Sequence, residues 1–410
     1  MLFASVDFLP QIGGVSLATH HIANAFVKDG HSVTVLAPGI ESDLSEFGAR
    51  YELIRDIHAR PRNREGSSWK ENEFPRLRQL IKQLWSEKEF DRVVAMHPFY
   101  YGPALQAVAR EQGKPVSVMF HGFELRSQLL KSEQSRSFRA WRSGNGPTLR
   151  QLTMKLARSA DQIIANSEFT KRQVQRTFTR APIFVSGCGI DADQARREMQ
   201  LSNNDILQTR NRIRNDLGVG ENEFLVGTLC RLVPHKNVDV MIEAIAKVAN
   251  ARGVIIGDGP EKEKLVSMVS ALSLGDRISF RHGESERGKW DLLRALDAFA
   301  LLTGEGPQGQ IEGFGIVILE ATAAGVPVIA ANSGGIKDVV ADEETGLMTP
   351  VRNPYAVVEA IRKLDQNRKL GARLVCNAQN KINADFNWRT IARRLYRSWE
   401  LEFEGTDGKR

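Results

Sequence analysis

Residues 309–325 read GQIEGFGIVILEATAAG and indicate both a fold element and a binding site. The stretch after Gly315 is apolar or small except at Glu320, which is typical of a helix buried against its neighbours. Gly313 and Gly315 precede it, and a glycine-bounded helix start leaves backbone N–H groups available to an anion such as a diphosphate. The apolar run PVIAA (327–331) follows, so the stretch predicts one helix–strand unit of an α/β sheet.

Two carboxylates accompany this predicted helix start. Glu320 is surrounded by apolar residues, and an unpaired carboxylate there would cost several kcal/mol, so it needs a partner. It lies about one turn, or roughly 6 Å, above the helix start, whereas Glu312 precedes that start. The spacing predicts two carboxylates that bracket a diphosphate, as the hydroxyl groups on both sides of a nucleotide sugar require. A buried glutamate paired with a neighbouring arginine is the alternative.

Short apolar runs alternate with amphipathic stretches along the whole chain. Such near-continuous apolar strands are typical of parallel sheets covered by helices on both faces. The pattern stops and restarts between about 190 and 222, and a length of 410 residues favours two domains. We therefore expect two Rossmann-like α/β domains that face each other across a cleft, formed by residues 1–200 and 215–385. The predicted strands are 2–6, 33–37, 92–96, 116–120, 162–166, 225–230, 254–257, 278–280, 298–302 and 327–331.

Composition narrows the class of protein and its compartment. No stretch approaches about 18 consecutive apolar residues, so we expect no transmembrane helix. The start MLFASVDF has no basic region before its apolar residues, which indicates a first strand and not a signal peptide. The three cysteines, Cys188, Cys230 and Cys376, show no metal-type spacing and favour a reducing, cytoplasmic compartment.

The positive charge is concentrated in the first half of the chain. Residues 1–210 carry 29 Lys and Arg against 22 Asp and Glu, and the remainder is balanced, so the whole net charge of +7 lies there. The densest segment, 124–162, places basic residues between apolar ones. It is compatible with a solvated helical face or with a surface that meets an anionic membrane or acceptor. We find no nucleic-acid-binding motif and expect no nucleic-acid partner.

A cationic motif follows the strand predicted at 225–230. Arg231 and Lys236 stand in GTLCRLVPHKN (227–237), and two fixed cations beside a diphosphate can stabilise a leaving group. Taken singly, an Arg and a Lys after a strand are more often surface charge. The sequence Asp191-Ala192-Asp193 formally matches a metal–diphosphate motif, but it lies in a polar junction, so we predict no metal site.

Two motifs of the first half also follow predicted strands. His121 begins HGFE (121–124), and a side chain at the carboxyl end of a strand faces the crevice of an open α/β sheet. Gly13 and Gly14 follow the first strand, and a glycine pair lets the backbone approach a ligand closely. The chain contains no G-x-G-x-x-G fingerprint, which weakens a dehydrogenase interpretation.

Together these motifs resemble the signature of glycosyltransferase family 4, the group 1 retaining glycosyltransferases of GT-B fold. The resemblance covers nearly the whole chain. Its segments are EGFGIVILEA (312–321), PVIA (327–330), GTLCRLVPHK (227–236), HGFE (121–124), the loop at Gly13-Gly14, IANSEFTK (164–171), SGCGID (186–191), GDGP (257–260), NSGGIKDVV (332–340) and FNW (386–388). In this family a last helix, here about 386–405, crosses back to the N-terminal domain.

The resemblance implies roles for the residues around the helix start. Glu312 would contact the hydroxyls of the donor sugar, and Glu320 would hold the ribose hydroxyls. The backbone of Phe314, Gly315 and Ile316 would meet the diphosphate. These residues would form the donor site in the C-terminal domain.

It also implies roles for the other motifs. Arg231 and Lys236 would stabilise the leaving nucleoside diphosphate. His121 would hydrogen-bond the donor sugar at its 6-hydroxyl, and Gly13 and Gly14 would lie near the donor phosphates and the acceptor. The N-terminal domain would bind the acceptor.

The chain departs from the family pattern at a few positions. Asn237 stands where glycine commonly follows the lysine, Asp338 stands where glutamate is usual, and 187–189 read Gly-Cys-Gly where Pro-Asn-Gly is frequent. The segment before Glu312, GEGPQGQ (304–310), is longer and richer in glycine than the shortest family versions. It resembles forms in mannosyltransferases that act on lipids.

The implied activity is a retaining, metal-independent hexosyl transfer that needs no cofactor. The donor would be GDP-mannose or a UDP-hexose, and the acceptor a hydroxyl of a glycan or a lipid-linked molecule in cell-envelope or exopolysaccharide synthesis. The chain would be cytoplasmic or peripheral on the inner face of the plasma membrane. A transferase with a small soluble acceptor, a nucleotide-sugar epimerase or a phosphate-dependent glycan-cleaving enzyme of similar fold, and a non-catalytic partner subunit are the alternatives.

Overall fold

The computed structural model describes residues 1–10, 13–39, 44, 47–59, 73–122, 149–177, 181–307 and 309–407. Within these ranges the chain forms two compact units. One consists of Met1–Cys188 with Trp388–Arg410, and the other is Gly189–Asn387. Most of the basic segment 124–162, together with Glu124, lies outside the described residues.

The first unit contains a seven-stranded parallel sheet with strand order β3-β2-β1-β4-β5-β6-β7. Helices follow most of the strands, as right-handed crossovers between parallel strands require. Its strands are β1 (Leu2–Ala4), β2 (Thr34–Pro38), β3 (Glu52–Asp56), β4 (Val93–Ala95), β5 (Val116–Phe120), β6 (Gln162–Ala165) and β7 (Ile183–Val185). Its helices before the second unit are α1 (Gly14–Lys28), α2 (Glu73–Glu87), α3 (Tyr101–Glu111), α4 (Leu149–Ser159) and α5 (Glu168–Thr177).

The second unit contains a six-stranded parallel sheet with the order β10-β9-β8-β11-β12-β13. This is the order of a doubly wound dinucleotide-binding sheet. Its strands are β8 (Phe224–Leu229), β9 (Ala251–Ile256), β10 (Ile278–Arg281), β11 (Ala298–Leu301), β12 (Val328–Ala331) and β13 (Leu347–Thr349). Its helices are α6 (Ala192–Met199), α7 (Asn203–Asp216), α8 (Val238–Ala246), α9 (Lys262–Ala271), α10 (Glu286–Ala295), α11 (Ile316–Ala323), α12 (Pro354–Gln366) and α13 (Arg368–Ala384).

The prediction of two parallel α/β domains is confirmed, and each of the ten predicted strands is present. Three strands were missed, namely β3, β7 and β13, and all three lie at or near a sheet edge. Strand β3 reads ELIRD and is mostly part-exposed, and β7 is part-exposed throughout. Edge strands of this kind lack the continuous apolar run that reveals a strand covered on both faces.

The boundary between the units falls at Cys188 and Gly189, earlier than the predicted junction between residues 200 and 215. Helices α6 and α7 belong to the second unit because ion pairs fasten them there. Glu198 of α6 pairs with Arg294, and Arg214 of α7 pairs with the buried Asp297 at 2.8 Å. The polar composition of 190–222 therefore reflects two helices that pack against α10 and α11 of the second unit.

The last helix, α14 (Trp388–Asp407), returns to the first unit. Trp399 stacks on Phe26 of α1 with ring centroids 5.4 Å apart, and its indole N–H donates to Gln162 at 2.8 Å. Arg393 and its neighbour Arg389 pair with Asp29 at the end of α1. Among the described residues, no helix is long and apolar enough to cross a membrane.

We predict that Trp399→Ala lowers the free energy of unfolding by about 3–5 kcal/mol, because it empties a buried aromatic site and leaves the side-chain oxygen of Gln162 without its donor. Urea denaturation of the full chain measures the loss. Leu401→Ala is the control on the same helix, since Leu401 is 69% exposed, and we expect a change below about 0.5 kcal/mol. Equal effects of the two substitutions would contradict the docking of α14 on the first unit.

Candidate active site

The candidate site lies at the carboxyl edge of the second sheet, where the strand order reverses. Strands β8 and β11 are neighbours, and the chain builds outward from them in opposite directions. Ligands of doubly wound sheets bind outside the strand ends at this point. The loop after β8 carries Arg231 and Lys236, and the loop after β11 carries Glu312 and leads into α11. The topology therefore joins two motifs that are distant in sequence.

An ion pair connects these two loops. Lys236 Nζ contacts Glu312 Oε2, and both side chains are largely buried. Burial alone would raise the pKa of the Glu312 carboxyl, but the charge of Lys236 outweighs it and holds that pKa below its ordinary value. Glu312 is therefore ionised at neutral pH. Within the described part of the chain its other oxygen, Oε1, has no hydrogen-bond partner and can accept from a ligand hydroxyl.

The GDGP segment holds the loop of Arg231 and Lys236. The Cys230 N–H donates to the Ile256 carbonyl at 3.0 Å, and the Leu232 N–H donates to Asp258 at 2.9 Å. The Leu232 carbonyl in turn accepts from the Glu261 N–H at 3.1 Å. Arg231 stands between these anchored residues, and its side chain is exposed. The backbone of the loop is thus fixed while the guanidinium remains accessible to a ligand.

The backbone of Glu312 is set by the glycine pair Gly334-Gly335. The Gly335 N–H donates to the Glu312 carbonyl at 2.9 Å. Gly334 has φ +54°, and a Cβ atom there would lie 2.2 Å from the same carbonyl oxygen. Any larger residue at position 334 would displace Glu312, so this glycine is required by a close approach of two backbones.

The start of α11 is free of side-chain caps. Gly315 is the N-cap residue with φ +92°, a left-handed conformation that suits glycine, and among the described residues no side-chain capping hydrogen bond is present at this helix start. Phe314 is buried and packs edge-on against Phe386 at 5.6 Å between ring centroids. The side chain of Phe314 is therefore not available to a ligand, and Gly315 has none, so both residues can contact a ligand only through their backbone. The helix start has the chemistry of an anion site.

Glu320 pairs with a lysine. Lys289 on α10 places its Nζ 2.7 Å from Glu320 Oε1 and 2.7 Å from Glu286 Oε1. The alternative interpretation, a buried glutamate in an ion pair, thus describes this contact, although the partner is Lys and not Arg. Burial still dominates and raises the pKa of the Glu320 carboxyl. The other oxygen, Oε2, has no hydrogen-bond partner among the residues that the structure describes.

Three predicted site residues lie in the first unit. His121 follows β5 and is buried, and its Nε2 lies 2.8 Å from the Met96 carbonyl at the end of β4. A carbonyl oxygen can only accept, so Nε2 carries the proton, and burial lowers the pKa of His121 to about 4. Gly13 and Gly14 begin α1 and are exposed, and a Cβ at Gly14 would meet nothing within 4 Å. Packing against the described residues therefore does not require glycine at position 14.

The structure also explains the Asp-x-Asp sequence. Asp191 is the N-cap of α6 and accepts from the Gln194 N–H at 2.7 Å. Asp193 lies in the first turn of that helix, 3.7 Å from Arg196. Acidic residues at these positions stabilise a helix start, which accounts for this pattern without a ligand.

Sequence reasoning missed Lys289. It lies 31 residues before Glu320, on another helix, and no motif of the sequence marks it. The one available signal was the requirement that the Glu320 carboxylate have a partner. Asn237, by contrast, was noticed as a departure, and its surroundings give it a structural role.

Asn237 adopts the left-handed conformation, with φ 48° and ψ 43°, directly after Lys236. Its Nδ2 donates to the Leu302 carbonyl at 2.9 Å, and its Oδ1 accepts from Arg352 at 3.0 Å. Arg352 also pairs with Asp239 at 3.0 Å. The asparagine therefore supplies the backbone conformation that glycine supplies elsewhere and, in addition, fastens the lysine loop to the end of β11.

Comparison with known proteins identifies the class. The family model "Glycosyl transferases group 1" matches residues 209–381, and the model "Glycosyltransferase Family 4" matches residues 12–194. Each model falls largely on one of the two structural units, and together they account for most of the chain. The chain belongs to the group 1 glycosyltransferases of family 4, and its two parallel α/β domains are those of the GT-B fold.

Individual relatives extend along the whole chain. A GDP-mannose-dependent alpha-(1-6)-phosphatidylinositol monomannoside mannosyltransferase of Mycobacterium tuberculosis is 26% identical, over 96% of this chain and 96% of that protein. HepE of Anabaena, solved in complex with UDP, has a TM-score of 0.73 at 22% identity, covering 98% of this chain and 99% of that chain. Sucrose-phosphate synthase of Thermosynechococcus elongatus has a TM-score of 0.77 at 18% identity, with the same coverage. At these identities the two structures show the fold alone.

We predict that Asn237→Gly lowers the free energy of unfolding by about 1–2 kcal/mol, because one buried and one part-buried hydrogen bond are lost while the left-handed backbone is relieved. Asn237→Ala should lower the free energy of unfolding by about 1 kcal/mol more. Alanine lacks the hydrogen-bonding amide of asparagine and, unlike glycine, is strained in the left-handed conformation. Thermal or urea unfolding measures both values.

Ser273→Gly is the matched control. Ser273 also has a positive φ, 55°, but it is exposed, so glycine there should be neutral or slightly stabilising. If Asn237→Gly were as stable as the unaltered chain, the side-chain contacts of Asn237 would have no role in holding the loop.

Proposed function

We propose that this chain is a retaining glycosyltransferase that moves a hexose from a nucleoside diphosphate sugar to a hydroxyl of a glycan or lipid-linked acceptor. The main support for the proposal is a pair of carboxylates, Glu312 and Glu320, each of which forms an ion pair with a lysine. Glu312 precedes the start of α11 and Glu320 follows it, and that start has no side-chain cap among the described residues. Each carboxylate keeps one oxygen for a hydroxyl donor. The N–H groups between them suit a diphosphate.

The roles of the site residues follow from charge. Breakage of the bond between the sugar C1 and the phosphate oxygen leaves negative charge on the nucleoside diphosphate. Arg231, Lys236 and the helix start would stabilise that charge, so the reaction needs neither a metal ion nor a cofactor. The acceptor oxygen forms the new bond to C1 on the face that the diphosphate leaves, and its proton passes to the departing phosphate oxygen. This order of events retains the anomeric configuration.

The remaining predicted residues would position the sugar. His121 would contact a hydroxyl of the donor sugar as a neutral imidazole, since its pKa of about 4 keeps it uncharged at neutral pH. Glu312 would accept from other hydroxyls of the hexose. The exposed backbone at Gly13 and Gly14 would lie near the donor phosphates and the acceptor.

GDP-mannose is the donor that we propose first. The mannosyltransferase relative of Mycobacterium tuberculosis, which is named for GDP-mannose, matches 96% of this chain. A UDP-hexose is the second candidate, because the structurally similar HepE has also been solved with UDP-glucose. The glycine-rich segment before Glu312 is the part of the site in which we expect donor preference to be decided.

A lipid-linked acceptor is favoured by the same relative, whose name specifies a phosphatidylinositol mannoside. Together with the basic first half of the chain, this supports a protein that works at the inner face of the plasma membrane in cell-envelope or exopolysaccharide synthesis. Transfer to a small soluble acceptor and epimerisation of the nucleotide sugar are the alternatives, and the experiments below distinguish them from transfer to a lipid.

Glu312→Ala and Lys236→Ala should each reduce hexosyl transfer at least about a hundredfold, which corresponds to about 2.7 kcal/mol of lost transition-state stabilisation. Initial rates with saturating donor measure the effect. Glu359→Ala is the control, since Glu359 is 71% exposed and pairs with Arg362 on the surface of α12. Near-normal rates in both site variants would contradict the roles of Glu312 and Lys236 in hexosyl transfer.

A thermal-shift series with GDP-, UDP- and ADP-hexoses should show the largest stabilisation with GDP-mannose, because a bound donor stabilises the fold by mass action. Transfer to a lipid acceptor in liposomes containing anionic lipid should then exceed transfer to a soluble alcohol in high salt. Full transfer to the soluble alcohol would contradict the lipid acceptor. Formation of an epimer from donor alone would contradict hexosyl transfer itself.

A further inference from the structure

We propose that Lys289 is a positioning residue for the nucleotide: it holds one oxygen of Glu320 so that the other accepts from the ribose hydroxyls. This inference rests on the proposed function, because it takes Glu320 to be the ribose ligand. Lys289 lies on α10, outside every motif of the sequence that led to the site.

Lys289 forms ion pairs with one buried carboxylate and one exposed carboxylate. Its Nζ lies 2.7 Å from Glu320 and 2.7 Å from Glu286. The side chains of Lys289 and Glu320 are 16% and 14% exposed, whereas that of Glu286 is 62% exposed. The Lys289 ammonium therefore lies between a buried carboxylate, Glu320, and an exposed one at the rim of the site, Glu286.

The rim carboxylate is itself held in place. The indole N–H of Trp290 donates to Glu286 Oε1 at 3.0 Å, and Trp290 is buried. A buried ring thus fixes Glu286, Glu286 steadies Lys289, and Lys289 orients Glu320. A lysine side chain has several rotatable bonds, and two anchored partners restrict it to one arrangement.

The chemistry of Glu320 explains why a cation is needed. Burial raises the pKa of its carboxyl, Lys289 opposes that shift, and Glu286 adds to it. Among the described residues these are the only charged side chains that interact with Glu320. From α13, the neutral amide of Gln379 contacts α11 at the Thr322 carbonyl, 3.0 Å away. Without Lys289 nothing would oppose the effect of burial, so the pKa of the Glu320 carboxyl would rise further, and the protonated carboxyl would lose acceptor capacity towards the ribose.

The ribose is remote from the bond that breaks, and this determines which kinetic constant responds. A contact made equally in the ground state and the transition state changes KM and leaves kcat almost unaltered. Loss of Lys289 should therefore weaken donor binding, whereas loss of Lys236 should slow transfer.

The test compares four variants of the full chain, Lys289→Met, Lys289→Arg, Glu286→Gln and Glu320→Ala, by calorimetric binding of GDP and UDP between pH 7 and 9. We expect Lys289→Met to bind at least about tenfold more weakly than the unaltered chain at pH 7. Its affinity should recover as the pH rises and Glu320 ionises, whereas the unaltered chain should change less than about threefold. Lys289→Arg should stay within about fivefold of the unaltered chain.

The controls separate this inference from the proposed function. Glu286→Gln keeps a side-chain oxygen that can accept from Lys289 and from the Trp290 indole, and it leaves the Lys289–Glu320 pair in place, so it should not weaken binding more than about threefold. Glu320→Ala should bind weakly at every pH. If Glu320→Ala lost binding while Lys289→Met kept the affinity and pH profile of the unaltered chain, the role of Lys289 would be overturned and that of Glu320 would stand. If Glu320→Ala bound normally, the assignment of Glu320 and the role of Lys289 would both fall.

Discussion

The site depends on the pairing of each carboxylate with a lysine. A nucleotide sugar presents hydroxyl groups, which carboxylates bind well, next to a diphosphate, which carboxylates repel. In the proposed donor site, the ion pairs of Glu312 with Lys236 and of Glu320 with Lys289 would resolve this conflict. Each lysine compensates one negative charge and leaves one oxygen open. The helix start between them can then hold an anion with two hydroxyl acceptors close by.

Rigid elements hold these pairs. Lys236 follows a backbone that is hydrogen-bonded to the GDGP segment, and Asn237 ties the same loop to the end of β11. The carbonyl of Glu312 is fixed by the Gly334-Gly335 turn. A site that must place several groups around one ligand benefits from supports of this kind, because small displacements weaken every contact together.

The sequence sufficed for the parallel α/β architecture and for the helix start at Gly315, because apolar periodicity and glycine placement are local signals. Resemblance to a known family assigned Lys236 and Glu312 to one site, and the structure brings their side chains together in an ion pair, whereas their contact with a ligand stays a prediction. Strands such as β3 were missed because a part-exposed edge carries polar residues. Lys289 was missed because an ion pair between two helices leaves no trace in the local pattern of either.

The measurement that tests the account most directly is a crystal structure of the chain with the nucleoside diphosphate that it binds more tightly, GDP or UDP. The account predicts ribose hydroxyls within about 3 Å of Glu320, with the Lys289 contact intact, and the diphosphate against the backbone of 314–316. A diphosphate bound away from this helix start, with Glu320 contacting only Lys289, would contradict it.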